Sequence, residues 1–283
     1  MPYRFARERQ DYTDYASGRV FYSLPGHPAF PVRLASETLQ RCLAARQRLG
    51  AIGPVVLYDP CCGAAYHLST LAYLHWDAIE SIIASDVDAA VLEVARRNLS
   101  LLTLEGLDRR IAEITRLLAQ YGKPSHAEAL ESAQRLRQRL ARLLEHHPID
   151  IHLFVADATD RQAVREGLAG RTVDVVLSDV PYGWHSSWQI TGPGHESASG
   201  PLQAMLDALL PVLAPHAVVA IAANKRQRIA HPGYRRLERF QIGKRQVALL
   251  HPLRPLPPPS RSAPGLNRRP PTDDGRRLSG SDG

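Results

Sequence analysis

Cysteine is scarce in this 283-residue chain, with three in all, and their placement excludes two architectures. Cys61 and Cys62 are adjacent and Cys42 stands alone, so neither a disulfide framework nor a CxxC metal site can be drawn, and all three read as reduced thiols. Long hydrophobic runs are missing as well. No stretch approaches the roughly 18 apolar residues of a membrane span, and the opening MPYRFARERQDY is too charged for a secretion signal. A soluble, cytoplasmic protein is the expectation. The GxGxxG turn of nicotinamide dehydrogenases is absent, which disfavours hydride transfer. Acidic side chains are in deficit, 28 against 35 basic ones, giving a formal charge of +7 and a pI near 9.6. A basic excess favours a polyanionic partner once the charge is located.

What is present organises the chain. With 44% hydrophobic residues the length suits one large α/β domain with a well-buried core. Residues 1–50 read as a polar lead-in ending in an amphipathic helix opened by Pro31. From residue 51 to 251 strands and helices alternate: VVLYD, a turn, a helix from about Leu68, SIIASD, the helix VDAAVLEVARRNL, then HLFVAD, VDVVLSDVPYG, a helix over 201–213, AVVAIAA and a last strand near 247–250. Strands that are apolar throughout predict a mostly parallel sheet covered on both faces. Residues 105–147 interrupt this alternation with two helical stretches around Gly122, Lys123 and Pro124, a helical-hairpin insertion. From 252 to 283 proline, glycine, serine and arginine dominate, which predicts a disordered tail.

In an open parallel α/β sheet, ligands bind beyond the carboxyl ends of the strands, and four motifs fall there. The turn Asp59-Pro60-Cys61-Cys62-Gly63-Ala64-Ala65 follows VVLY, and its small residues let backbone N–H groups approach a ligand carrying carboxylate and ribose oxygens. Asp86, ending the next strand, is placed to accept ribose hydroxyls, whereas Asp88 suits the N-cap of the helix that follows. Asp157 ends HLFVA, where its carboxylate can accept an adenine amine while the N–H of Ala158 meets a ring nitrogen; Asp160 is the better cap for the next helix. The fourth motif, Ser178-Asp179-Val180-Pro181-Tyr182-Gly183 followed by Trp184 and Trp188, gathers an acid, a rigid kink and aromatic faces. Such a site suits a flat nucleobase, with Asp179 accepting the proton of a ring N–H or amino group.

Those four motifs resemble, in order, the motifs of class I S-adenosylmethionine-dependent methyltransferases. More narrowly, GHPAFPVRLASETLQR, LYDPCCG, IASDVD, YGKPSHAEA, DVVLSDVPYG and LERFQIGKRQVALL resemble the AviRa-type family of ribosomal RNA guanine-N1 methyltransferases, which is associated with avilamycin resistance. The resemblance covers all but the tail. It implies a Rossmann-like α/β fold, an rRNA methyltransferase activity and S-adenosylmethionine bound at Asp59, Cys61, Gly63, Asp86, Asp88, Asp157 and Ala158, with Arg33 as a candidate for the cofactor carboxylate. It also implies a guanine held against Asp179, Pro181 and Tyr182. Methylation of guanine N2 and a non-catalytic RNA-binding paralogue are the alternatives. One departure stands out: Ala64-Ala65 occupies a place where that family commonly has Ser-Gly, which matters if the second residue needs positive φ.

The charge concentrates between Asn224 and Arg245, where Lys225, Arg226, Arg228, Arg235, Arg236, Arg239, Lys244 and Arg245 face one acid, Glu238. A surface that needed only solubility would intersperse both signs. The expectation is a phosphate-contacting patch for large-subunit rRNA, with Trp184 beside the base, lying away from the cofactor motifs. No metal is called for.

Overall fold

The computed structural model describes residues 3–8, 10–25, 29–180 and 200–253. The Pro181-Tyr182 turn, Trp184 and nearly all of the tail expected to be disordered therefore lie outside the described residues. The strands are β1 Val55–Asp59, β2 Ile79–Asp86, β3 Asp150–Val155, β4 Val173–Asp179, β5 Leu213–Asn224, β6 Tyr234–Ile242 and β7 Arg245–Pro252. They form one seven-stranded sheet in the order β3-β2-β1-β4-β5-β7-β6. The first five pair in parallel, and β7 is antiparallel to both of its neighbours. Strand order thus reverses between β1 and β4.

Helices cover both faces. They are α1 Val32–Arg48, α2 Tyr66–Leu74, α3 Ala89–Ser100, α4 Leu104–Tyr121, α5 Pro124–Leu144, α6 Arg161–Gly167 and α7 Pro201–Leu209. Alternate residues of each strand serve opposite layers, as the period-two geometry of a strand requires. Leu57, Ile82, Val175, Leu177 and Val218 pack with α1 to α5, while Tyr58, Ile83, Val176, Val219 and Ile221 pack with α6 and α7. The expected helical hairpin is α4 and α5, inserted between α3 and β3. Thr103 caps it, accepting the N–H of Gly106 at 3.1 Å.

Two expectations change. Apolar character throughout holds for the inner strands but not for the edges: β3 is half-exposed along most of its length, and β6 alternates between exposed and half-buried residues. The basic stretch, for which no strand was expected before residue 247, is a loop followed by a β-hairpin. Its two strands join through Gly243-Lys244, with Gly243 at φ +60°, a left-handed conformation that favours glycine and suits a two-residue hairpin turn. The lead-in is also tied down. Glu37 of α1, with no exposed surface, accepts the backbone N–H groups of Arg4, Phe5 and Ala6 at 2.6, 2.8 and 2.7 Å.

Candidate active site

The reversal of strand order opens a crevice at the carboxyl ends of β1 and β4, where α/β sheets bind ligands. Asp59 ends β1 and Asp179 ends β4. On the cofactor side, Cys61 N–H donates to Asp59 Oδ1 at 3.0 Å, which folds the chain back on itself after the strand. Gly63 follows at φ +53°, and a Cβ built there would meet nothing within 4 Å. Its N–H donates to Asp86 Oδ2 at 2.9 Å, while Asp86 Oδ1 accepts from Asp88 N at 3.2 Å. One carboxylate at the end of β2 therefore sets the turn after β1. Burial raises the Asp86 pKa above its ordinary value, against those two backbone hydrogen bonds.

Asp88 caps α3, its Oδ1 accepting from Ala90 N at 2.8 Å and Val91 N at 3.4 Å; Asp160 caps α6 in the same way. Asp157 is buried, and its Oδ1 accepts both the N–H and the hydroxyl of Thr159, at 2.9 and 2.7 Å. Ala158 is buried beside it. The carboxylates of Asp59, Asp86 and Asp157 converge on Cys61, whose thiol burial pushes well up and the three negative charges push further. Arg33 is engaged by the N-terminal segment. Its guanidinium donates to the carbonyls of Ala6 and Arg7 at 2.8 to 3.0 Å and lies 4.0 Å from the Tyr3 ring centroid, so its donors hold the N-terminal segment.

Ala65, where the chain departs from the family pattern, adopts φ +50° as the N-cap of α2. The position does need positive φ. Its methyl group is fully buried in the core beneath the turn.

Asp179 is shaped differently from the other acids. Its Oδ1 is buried with no hydrogen-bond partner among the described residues, and its Oδ2 lies 3.5 Å from Arg245 Nη2. Burial drives its pKa up to about 6, against the lowering influence of Arg245 and His67. Arg245 was expected in the phosphate-contacting patch, away from the cofactor motifs, and here it stands beside Asp179. Because β7 runs against β5, pairing Arg245 with Asn224 just as β4 pairs Asp179 with Ala222, the first residue of β7 arrives at the edge where the parallel strands end. The sequence reading missed His67 altogether. It lies on α2, buried, with Nε2 3.1 Å from Asp59 Oδ2, an ion-pair distance without the alignment of a hydrogen bond. Burial works against its charge, but Asp59 and then Asp179 outweigh it and raise the imidazole pKa. The signal available was the i, i+8 spacing from Asp59 across a turn, which is too common to single out a residue.

Of the remaining basic residues, Lys225, Arg226, Arg228, Arg235, Arg236, Arg239 and Lys244 are exposed, and none pairs with a carboxylate among the described residues. The arginines of the helical hairpin differ. Arg109, Arg110, Arg135 and Arg137 pair with Glu105, Glu113, Asp14 and Asp108.

A doubly covered, mostly parallel sheet with acids at the ends of β1, β2 and β4 around one crevice is the architecture of a Rossmann-like class I methyltransferase. Comparison with known proteins narrows this. The family model described as rRNA methyltransferase AviRa matches residues 1–245. The 23S rRNA (guanine(2535)-N(1))-methyltransferase of Streptomyces viridochromogenes is 43% identical over 248 residues, covering 88% of this chain and 95% of that protein. Two solved structures of rRNA methyltransferase aviRa from the same organism superpose with TM-scores of 0.76 and 0.77 at 42% identity, covering 88% of this chain and 96% of theirs. The chain belongs to the AviRa family and is an rRNA methyltransferase. Among the described residues no helix is long and apolar enough to cross a membrane, and no cluster of side chains could hold a metal ion.

Proposed function

We propose that this enzyme transfers a methyl group from S-adenosylmethionine to N1 of a guanine in 23S rRNA, with Asp179 accepting the N1 proton. The observation that carries the reading is the buried Oδ1 of Asp179, an acceptor without a donor among the described residues at the rim of the crevice. A buried acceptor left unmatched is destabilising, and a base N–H meets the need. Burial supports the same role, because a carboxyl whose pKa stands near 6 is a stronger base than an ordinary aspartate.

The residues after β1 and β2 fit the cofactor. Gly63 leaves open space on the side where a Cβ would project, Asp86 offers acceptor oxygens to a ribose, and Asp157 and Ala158 sit where an adenine edge would lie. Asp59, Asp86 and Asp157 together make the crevice electronegative, which favours a sulfonium cation. S-adenosylmethionine, when bound, supplies the activated methyl group. The chain aligns the base with it, excludes water and removes a proton. The loop and hairpin basic residues from Lys225 to Lys244, which lack acidic partners, are the proposed phosphate contacts, with Pro181, Tyr182 and Trp184 assigned to the acceptor base. A methyl group on this large-subunit guanine would protect the ribosome from an antibiotic that binds there.

Incubation with labelled S-adenosylmethionine and 23S rRNA, followed by nucleoside analysis, tests the reading. The expected product is 1-methylguanosine, which blocks Watson-Crick pairing and halts reverse transcription; N2-methylguanosine would favour the exocyclic alternative. Asp179→Asn should lower turnover at least about 100-fold while calorimetry finds cofactor affinity unchanged. Near-normal turnover would remove Asp179 from the proton-accepting role.

A further inference from the structure

The acceptor edge of the crevice holds more charge than one acid and its substrate need. Arg245 approaches Asp179 Oδ2 at 3.5 Å from β7, and its guanidinium lies 5.6 Å from the centroid of the Phe30 ring. Phe30 also meets His67 of α2, whose ring packs edge-on at 5.7 Å. His67 in turn lies 3.1 Å from Asp59 Oδ2 of β1, and neither side chain is appreciably exposed. Burying a histidine against a carboxylate costs desolvation that only close attraction between charged groups offsets. Arg245 and His67 both act on Asp179: among the described residues, the charged and titratable groups that influence it are Arg245 from β7, His67 from α2 and Asp59 from β1.

We propose that Arg245 and the buried Asp59–His67 pair are positioning residues that keep Asp179 ionised and its Oδ1 turned to the acceptor base, and that Arg245 does not contact RNA phosphate. This rests on the reading of Asp179 as proton acceptor. Burial raises the carboxyl pKa and so disfavours the ionised form that accepts a proton. Arg245 and His67 act against that desolvation, and Asp59 in turn raises the imidazole pKa. Arg245 binds the oxygen away from the base, so the other lone pairs remain available. The remaining hairpin arginines are exposed and serve docking, whereas Arg245 is half-buried.

The test is a carbon-13 NMR titration of the Asp179 carboxyl, assigned by its loss in Asp179→Asn, in the wild-type chain and in Arg245→Gln, Arg245→Lys and His67→Gln. Removing a cation raises the pKa of an acid it stabilises. Arg245→Gln should therefore move the midpoint upward by about one unit, a tenfold change in the dissociation constant. Arg245→Lys should restore most of the shift. The pH profile of methyl transfer should move in the same direction, with the rate recovering in alkali, while rRNA affinity keeps the wild-type salt dependence. Because His67 is buried, the Arg245 variants decide the matter. A midpoint that stays in place, or an Arg245→Gln variant whose rRNA binding loses salt dependence, overturns the proposal. Should Asp179→Asn methylate at the wild-type rate, the proton-accepting role falls on its own, because the titration reads the influence of Arg245 on the carboxyl independently of turnover.

Discussion

Asp179 sits in surroundings that disfavour its own charge, and this links activity to stability with a definite sign. Its carboxyl stands at about 6 in the folded chain against an ordinary 3.8. An acid harder to ionise when folded contributes stability that is present below the unfolded value and lost as pH rises through the folded one. Asn carries no such penalty. Asp179→Asn is therefore expected to raise unfolding free energy by about 1–2 kcal/mol well above pH 6 and to leave it nearly unchanged near pH 4; urea denaturation at the two pH values checks this. Ala65 offers a second case at the same scale. A left-handed conformation costs an L residue roughly 1–2 kcal/mol, but the buried methyl returns about 0.8 kcal/mol through its contacts. Ala65→Gly should change the melting temperature by no more than a few degrees and leave cofactor affinity intact, since the methyl points into the core. A sharp gain in cofactor affinity would instead place that methyl in the cofactor's way.

Helix α1 binds together segments that are far apart in sequence. Glu37 holds three backbone N–H groups of residues 4 to 6 and accepts from Arg41 Nε at 2.7 Å. Arg41 also pairs with Glu238 of β6 and lies over the Phe240 ring at 4.0 Å. Removing the carboxylate leaves buried donors and a cation short of their partner, so Glu37→Ala should destabilise by about 3 kcal/mol. Faster proteolysis of the N-terminal segment should accompany it, measured by limited digestion and thermal melting. This clasp was not legible in the sequence, because a glutamate inside a helix looks like any solvated charge until its tertiary partners are known. Helix α1, the α4–α5 hairpin and strands β1, β2, β4 and β5 were legible, since each carries strong periodicity and punctuation. Strand β6 was not. Its run YRRLERFQI is dominated by arginine, and the alternation behind it is offset by the register shift between Arg236 and Glu238. The acids of the crevice were readable from their places at strand ends, but His67 and the inward turn of Arg245 depend on packing and on an antiparallel strand that the pattern did not announce.

Across the whole molecule, charge is sorted by how it is neutralised. In the α4–α5 hairpin Arg109, Arg110 and Arg137 pair with carboxylates of the hairpin itself and Arg135 with Asp14, whereas the basic residues from Lys225 to Lys244 have no carboxylate partner among the described residues. Replacing Arg226, Arg228, Arg235 and Arg236 with Gln should weaken rRNA binding and flatten its salt dependence by about two to three units of slope. The same nucleotide should still be methylated, because phosphate contacts carry no sequence information. Replacing Arg109 and Arg137 should leave the slope parallel to wild type; filter binding at several salt concentrations distinguishes the two surfaces. The reversed direction of β7 bears on how such an enzyme can be retargeted. Asp179 and Arg245 are 66 positions apart yet meet at one edge, so the hairpin is not an interchangeable adaptor fastened to a finished catalyst. Grafting a relative's hairpin to redirect the enzyme to another RNA would also exchange the residue beside the acid, and a chimaera that keeps arginine at the start of that strand should outperform one that does not, even when both grip the new RNA equally well.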